Sequence, residues 1–118
     1  MRIVFMGSSD FAEPSLKAIN VSSHQIVAVV TPVDKPAGRG GKMKSPYLKL
    51  VAEKLGYPVL QPFSFTNEKS LQNLRDCFPD IIVVVAFRKL PDNVLGIPKY
   101  GSINLHPSLL PKYRGAAP

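Results

Sequence analysis

The sequence predicts an α/β fold, with a Rossmann-like, mostly parallel sheet and flanking helices. Short β-rich runs alternate with helical patterns along the 118 residues, as crossover-connected parallel strands require. Several of those runs, residues 81–86 above all, are continuously apolar, which suits strands covered on both faces. The polar residues able to do chemistry cluster just after the runs, where such sheets hold their sites.

Residues 2–6 are expected to form the first strand, ended by Gly7. Ser8, Ser9 and Asp10 then offer helix N-caps, and Phe11, Leu16 and Ile19 fit the buried face of the helix that follows. Gln25–Val30 is a second strand, nearly continuous in β-branched residues. Residues 31–45 lack a strong period and are rich in Pro, Gly and Lys, so a long loop is expected there. A helix over residues 46–55 begins at a proline and stops at Gly56. Val59–Leu60 forms a short third strand, residues 68–77 a helix, residues 81–86 the fourth strand and residues 91–95 a short helix. Ser102–Leu105 is the fifth strand, running into a His106–Pro107 turn.

Composition bounds the function. Fifteen Lys and Arg against eight Asp and Glu give a net charge of +7, which suits a polyanionic partner without requiring one. Cys77 is the single cysteine, so neither an intrachain disulfide nor a thiolate zinc cluster can form. With no secretory signal and no membrane-length apolar run, the cytoplasm is the expected compartment. Cys77, with Leu71 and Leu74, reads as a buried structural thiol, and His24 as a surface residue without a metal-spaced partner. The turn Gly7-Ser8-Ser9-Asp10-Phe11 lacks the glycines that let a pyrophosphate approach the backbone, and Gly38–Lys42 lacks Walker A spacing. A nucleotide-binding module is therefore disfavoured.

The segment with the clearest chemistry is Ser102-Ile103-Asn104-Leu105-His106-Pro107. Two residues apart in a strand, Asn104 and His106 project to one face at its carboxyl end. An amide donor beside an imidazole suits acyl transfer: Asn holds a developing oxyanion while His moves or orients the proton of an attacking amine. On the residues alone, such a pair is more often structural than catalytic.

Asn104-Leu105-His106-Pro107-Ser108-Leu109-Leu110-Pro111, followed by Lys112-Tyr113-Arg114-Gly115-Ala116-Ala117-Pro118, resembles the signature of formyltetrahydrofolate-dependent formyltransferases. The Arg-Gly-Ala-Ala-Pro ending is most similar to the methionyl-tRNA formyltransferases. The likeness extends to Met1–Gly7, Asp10-Phe11, Lys35-Pro36-Ala37-Gly38-Arg39-Gly40 and Val83-Val84-Val85-Ala86-Phe87, and so covers the chain. It departs at Ser8-Ser9, where Thr-Pro is usual, at Thr31-Pro32-Val33-Asp34, and in the short exit Phe87-Arg88-Lys89-Leu90-Pro91.

The resemblance implies transfer of a formyl group from 10-formyltetrahydrofolate to the α-amine of initiator Met-tRNA, a step of translation initiation, with no metal. It carries two of the family's three catalytic positions onto Asn104 and His106, and the tetrahydrofolate-lining stretch onto Ser108, Leu109, Leu110 and Pro111. Residues 1–118 would then be a single partial N-terminal formyltransferase domain, with the rest of the catalytic domain and a C-terminal barrel domain absent. The full-length enzyme is expected to be a monomer. Arg88 and Lys89 are open between a folate contact and a surface role.

Residues 32–49 are the second strong feature. Lys35, Arg39, Lys42, Lys44 and Lys49 against Asp34 alone place four of the seven net positive charges there. Such a segment is commonly just solvated surface. A basic insertion beside a site is also a means of holding an acceptor stem, since phosphate contacts position a nucleic acid. The resemblance implies the second role, with Arg39 discriminating and Lys35, Lys42 and Lys44 steering. The rivals are formyltransferases of smaller acceptors, such as the glycinamide ribonucleotide enzyme and the nucleotide-sugar enzymes, and a non-catalytic fragment that keeps some folate or RNA affinity.

The family's third catalytic residue, an aspartate, lies beyond Pro118, and orienting a catalytic imidazole is worth orders of magnitude in rate. The 118-residue chain by itself is expected to show no turnover. A single-turnover formylation assay checks this, and ordinary turnover would contradict it.

Overall fold

A computed structural model describes residues 1–37 and 42–105. The chain runs β1 (Arg2–Gly7), α1 (Ala12–Asn20), β2 (Gln25–Val30), β3 (Lys35–Ala37), β4 (Lys42–Lys44), α2 (Tyr47–Lys54), β5 (Val59–Leu60), α3 (Glu68–Arg75), β6 (Ile81–Val85), α4 (Asp92–Leu95) and β7 (Ser102–Leu105). Five strands form one sheet in the order β5-β2-β1-β6-β7, and every pairing within it is parallel. The fold is the Rossmann-like α/β sheet that the alternating pattern predicts.

β1 lies at the centre of that sheet. Its residues Ile3, Val4, Phe5 and Met6 are all buried, because each face of the strand is covered. Ile3 and Phe5 join a cluster with Ala12, Leu16, Leu48, Val51 and Val83 under α1 and α2. Val4 and Met6 join a second cluster on the other face, with Leu71, Leu74, Val84, Leu90 and Val94 under α3 and α4. At this scale of burial, roughly 1.5–3 kcal/mol per large apolar side chain drives the sandwich together.

Several local expectations change on contact with the structure. Phe11 is 61% exposed instead of lying on the inward face of α1. Ala12, Leu16 and Ile19 form the inward stripe at i, i+4 and i+7, and Phe11 precedes the helix as its N-cap residue. Ala12 packs closely against Gly7, where an added Cβ would lie 2.8 Å from both Ala12 Cβ and Leu48 Cδ2. Of Ser8, Ser9 and Asp10, Ser9 meets the start of α1 by its side chain, its Oγ accepting from Phe11 N at 3.3 Å. The Ser9 and Asp10 carbonyls accept from Ala12 N and Glu13 N at 3.0 and 3.1 Å.

The expected long loop contains a two-stranded antiparallel ribbon, β3 with β4. Its strands carry Pro and Lys rather than β-branched residues, so no apolar alternation announces them. α3 ends at Arg75, two residues early, which leaves Cys77 beyond the helix and half-buried. Its thiol donates to Asn73 O at 3.3 Å, and burial pushes its pKa up. Gly56, at φ +88°, follows the α2 C-cap in the left-handed region that favours glycine, as its expected stop role requires.

The Gly7 contact gives a stability prediction. Gly7→Ala forces α1 or Leu48 outward and is expected to cost about 1–3 kcal/mol. Urea unfolding of the two proteins measures it; an unchanged midpoint would show that the packing relaxes freely.

Candidate functional site

Strand order reverses between β1 and β6, since β2 and β5 build to one side of β1 and β6 and β7 to the other. In an open parallel sheet, the carboxyl ends of the two strands at this reversal splay apart into a crevice. Here those ends are Gly7 and Val85, which are paired directly in register. Ser8 leaves β1 exposed, and its hydroxyl donates to the carbonyl of Ala86 across the crevice. Ala86 sits at φ +52°, a left-handed conformation uncommon for a residue with a Cβ, which turns the chain out of the sheet.

Asn104 is on β7, next outward from β6. It pairs with Val84 and therefore shares the face of Ile82 and Val84, above the α3–α4 cluster. Asn104 itself is exposed, at the carboxyl end of its strand. His106, Ser108, Leu109, Leu110, Pro111 and Arg39 lie outside the described residues.

The basic ribbon is the second feature at this end of the sheet. Lys35 is directly opposite Lys44, and Lys42 is opposite Ala37. Directly opposed residues share a face and alternate residues return to it, so Lys35, Lys42 and Lys44 project to one side. Pro36 and Met43 take the other. Like charges directly opposed destabilise a ribbon by themselves, so the arrangement favours an anion bound across it. Lys35 and Lys44 line an open cleft of about 400 Å³ together with Ser8, Asp10, Ser45 and Tyr47. The cleft thus connects the cationic ribbon with the exit of β1.

Lys49 does not join that face. Its ammonium lies 3.1 and 3.4 Å from the two carboxylate oxygens of Asp34. Gln61, after β5, donates to Asp34 Oδ1 at 2.8 Å and to Pro32 O at 2.9 Å. The Gln61 amide and then the Lys49 ammonium hold the Asp34 carboxyl below the usual range, with a lesser effect from Ser45. The sequence shows these three residues but not their meeting, because their partners are set by the sheet and not by spacing.

Arg88 is exposed and packs on two aromatic rings. Its guanidinium stacks 4.8 Å from the Phe65 ring centre and 5.1 Å from that of Phe87, and it donates to Pro62 O at 3.1 Å. This ties the exit of β6 to the segment after β5. His24 is exposed, as expected of a surface residue, with Nδ1 3.1 Å from the Met1 amino group. Among the described residues, no cluster of three or more His, Cys, Asp or Glu could hold a metal, and no helix is long and apolar enough to cross a membrane.

A doubly wound parallel sheet, with a polar turn at its reversal point and a cationic ribbon opening on the same end, defines the class: an α/β protein of Rossmann-like topology. Comparison with known proteins sharpens that class. The chain belongs to the Formyl transferase family, whose model matches residues 1–118. It is 51% identical over 118 residues to the methionyl-tRNA formyltransferase of Porphyromonas gingivalis (strain W83), covering 100% of this chain and 36% of that protein. Against the methionyl-tRNA formyltransferase of Citrifermentans bemidjiense the identity is 52% over 119 residues, covering 37% of that protein. The corresponding protein of Pelotomaculum thermopropionicum is 51% identical, with 38% of its length covered. The chain therefore spans a little over a third of the length of the curated relatives it matches.

The Asp34 contacts give a pH prediction. A carboxyl whose folded pKa is depressed contributes stability above its unfolded pKa and loses it as pH falls through the lowered value. Asp34→Asn should therefore destabilise the protein at neutral pH and make no difference in strong acid. Thermal unfolding of both proteins across the acid range measures the gap; a gap that persists in strong acid would contradict the assignment.

Proposed function

We propose that the protein transfers a formyl group from 10-formyltetrahydrofolate to the α-amino group of initiator methionyl-tRNA, in the cytoplasm, at the start of translation. The observation that carries this reading is the pairing of two features at one end of the sheet. Asn104 stands at the carboxyl end of β7, and Lys35 and Lys44 of the three-lysine face line the cleft at the exit of β1. Homology to proteins named for this activity supports it.

The chemistry follows from the groups involved. The methionyl amine attacks the formyl carbon, forming a C–N bond and a tetrahedral intermediate with an oxyanion. Asn104 donates a hydrogen bond to that oxyanion, and His106 accepts the proton shed by the amine. Collapse breaks the bond to the folate nitrogen, which leaves with a proton as tetrahydrofolate. Ser108, Leu109, Leu110 and Pro111 line the folate site. Lys35, Lys42 and Lys44 hold acceptor-stem phosphates, while Arg39 with its planar fork reads the stem.

A formyltransferase acting on a small amine would have little use for lysines directly opposed across a ribbon. The ribbon is therefore the feature that favours a nucleic-acid acceptor over the smaller ones.

The test uses the full-length protein with 10-formyltetrahydrofolate and Met-tRNA, comparing initiator with elongator tRNA. Initiator is expected to be strongly preferred. Asn104→Ala should lower kcat by roughly 10²–10³ and His106→Ala by roughly 10²–10⁴. Folate-dependent transfer to another amine, with tRNA ignored, would overturn the acceptor assignment and leave the site.

A further inference from the structure

We propose that Asp34 is a positioning residue for the RNA substrate: together with Lys49 and Gln61 it clamps the root of the basic ribbon, so that neutralising it weakens RNA binding. The inference rests on the reading of the protein as a Met-tRNA formyltransferase and adds to it a residue that touches no substrate.

The clamp joins three parts of the chain that are remote in sequence. Asp34 immediately precedes β3, Lys49 lies on α2, and Gln61 follows β5. Lys49 engages both carboxylate oxygens, and Gln61 bridges Oδ1 to the Pro32 carbonyl on the same strand exit. Asp34 is half-buried, and its pair with Lys49 has side-chain exposures of 30% and 19%. The segment leaving β2 is thereby tied to a helix and to the sheet edge directly before the first lysine of the cationic face. Beyond that tie, the ribbon is a two-stranded structure with exposed lysines on one face, Lys35 opposite Lys44. A ribbon so short has little stability of its own and relies on its anchors. Its lysines can converge on phosphates only while its root is held.

Electrostatics taken alone predicts the opposite sign. Asp34 is the one carboxylate among residues 32–49, so its charge lowers the local positive potential. Asp34→Asn removes that charge and frees Lys49, which by attraction alone should tighten binding to a polyanion. Positioning predicts weaker binding. The two accounts are separated by sign and not by size.

The experiment uses the full-length protein and a methionyl-tRNA acceptor-stem minihelix, read by fluorescence anisotropy at two salt concentrations, with KM for the formyl donor measured in parallel. Asp34→Asn and the charge-neutral Gln61→Leu are each expected to weaken RNA binding roughly tenfold while KM for the donor stays within about twofold. Glu53→Gln, which removes the same charge from the exposed side of α2, should not weaken RNA binding. If Asp34→Asn fails to fold, Gln61→Leu decides the matter alone. RNA binding by Asp34→Asn (or, in that case, Gln61→Leu) as tight as wild type or tighter overturns the inference and leaves the function standing. Wild-type protein that binds no RNA overturns both.

Discussion

Strand β1 has no face left for water, and the site hangs on where that strand stops. Ile3 to Met6 are buried from both sides, so the strand can neither slip its register nor turn over without exposing a cluster. At its end α1 and α2 close in on Gly7 until no Cβ fits. That close approach sets the start of α1 and brings Ser8 across to the exit of β6. It also puts α2, and with it Lys49, within reach of the segment leaving β2. The crevice, the cleft and the anchoring of the ribbon are all fixed relative to one glycine.

The sheet was legible in the sequence because its information is local and redundant. Gln25–Val30 follows from its β-branched composition and Ser102–Leu105 from the turn residues on either side, and both agree with the structure at their ends. The ribbon was not legible, since Lys-Pro-Ala and Lys-Met-Lys carry neither strand propensity nor alternation. Phe11 misled for a different reason. An aromatic at the edge of an apolar stripe reads as core, yet it is Ala12, one position later, that packs closely against Gly7. Of the proposed site, Asn104 is suggested by its spacing from His106 and by its resemblance to a known signature, and the fold adds only its position at the carboxyl end of β7. The Asp34–Lys49–Gln61 contacts could not be foreseen, because three residues spread over three elements leave no periodic trace.

The charge on the ribbon also takes a form that a count misses. Five basic residues between positions 32 and 49 read as one diffuse patch. In the fold, Lys49 is neutralised at the root while Lys35, Lys42 and Lys44 are concentrated on one face. A smaller number of charges held in register makes a more selective surface than a larger number on independent side chains, since the entropy of aligning them has already been lost.

The sheet order also governs how the chain assembles. β1 meets β2 early, with Ile3 opposite Ile26, but its other neighbour is β6, with Ile3 opposite Ile81. The Arg2 amide finds its acceptor only at Asp80 Oδ2. A ribosome adding about 5–20 residues per second needs roughly 4–16 s to supply that second neighbour. Until then the central strand of the sheet has an open edge and an incomplete cover on one face. Synthesis of this chain therefore includes an interval in which its future centre is its most adhesive surface, and chaperone engagement is most useful before Val85 emerges.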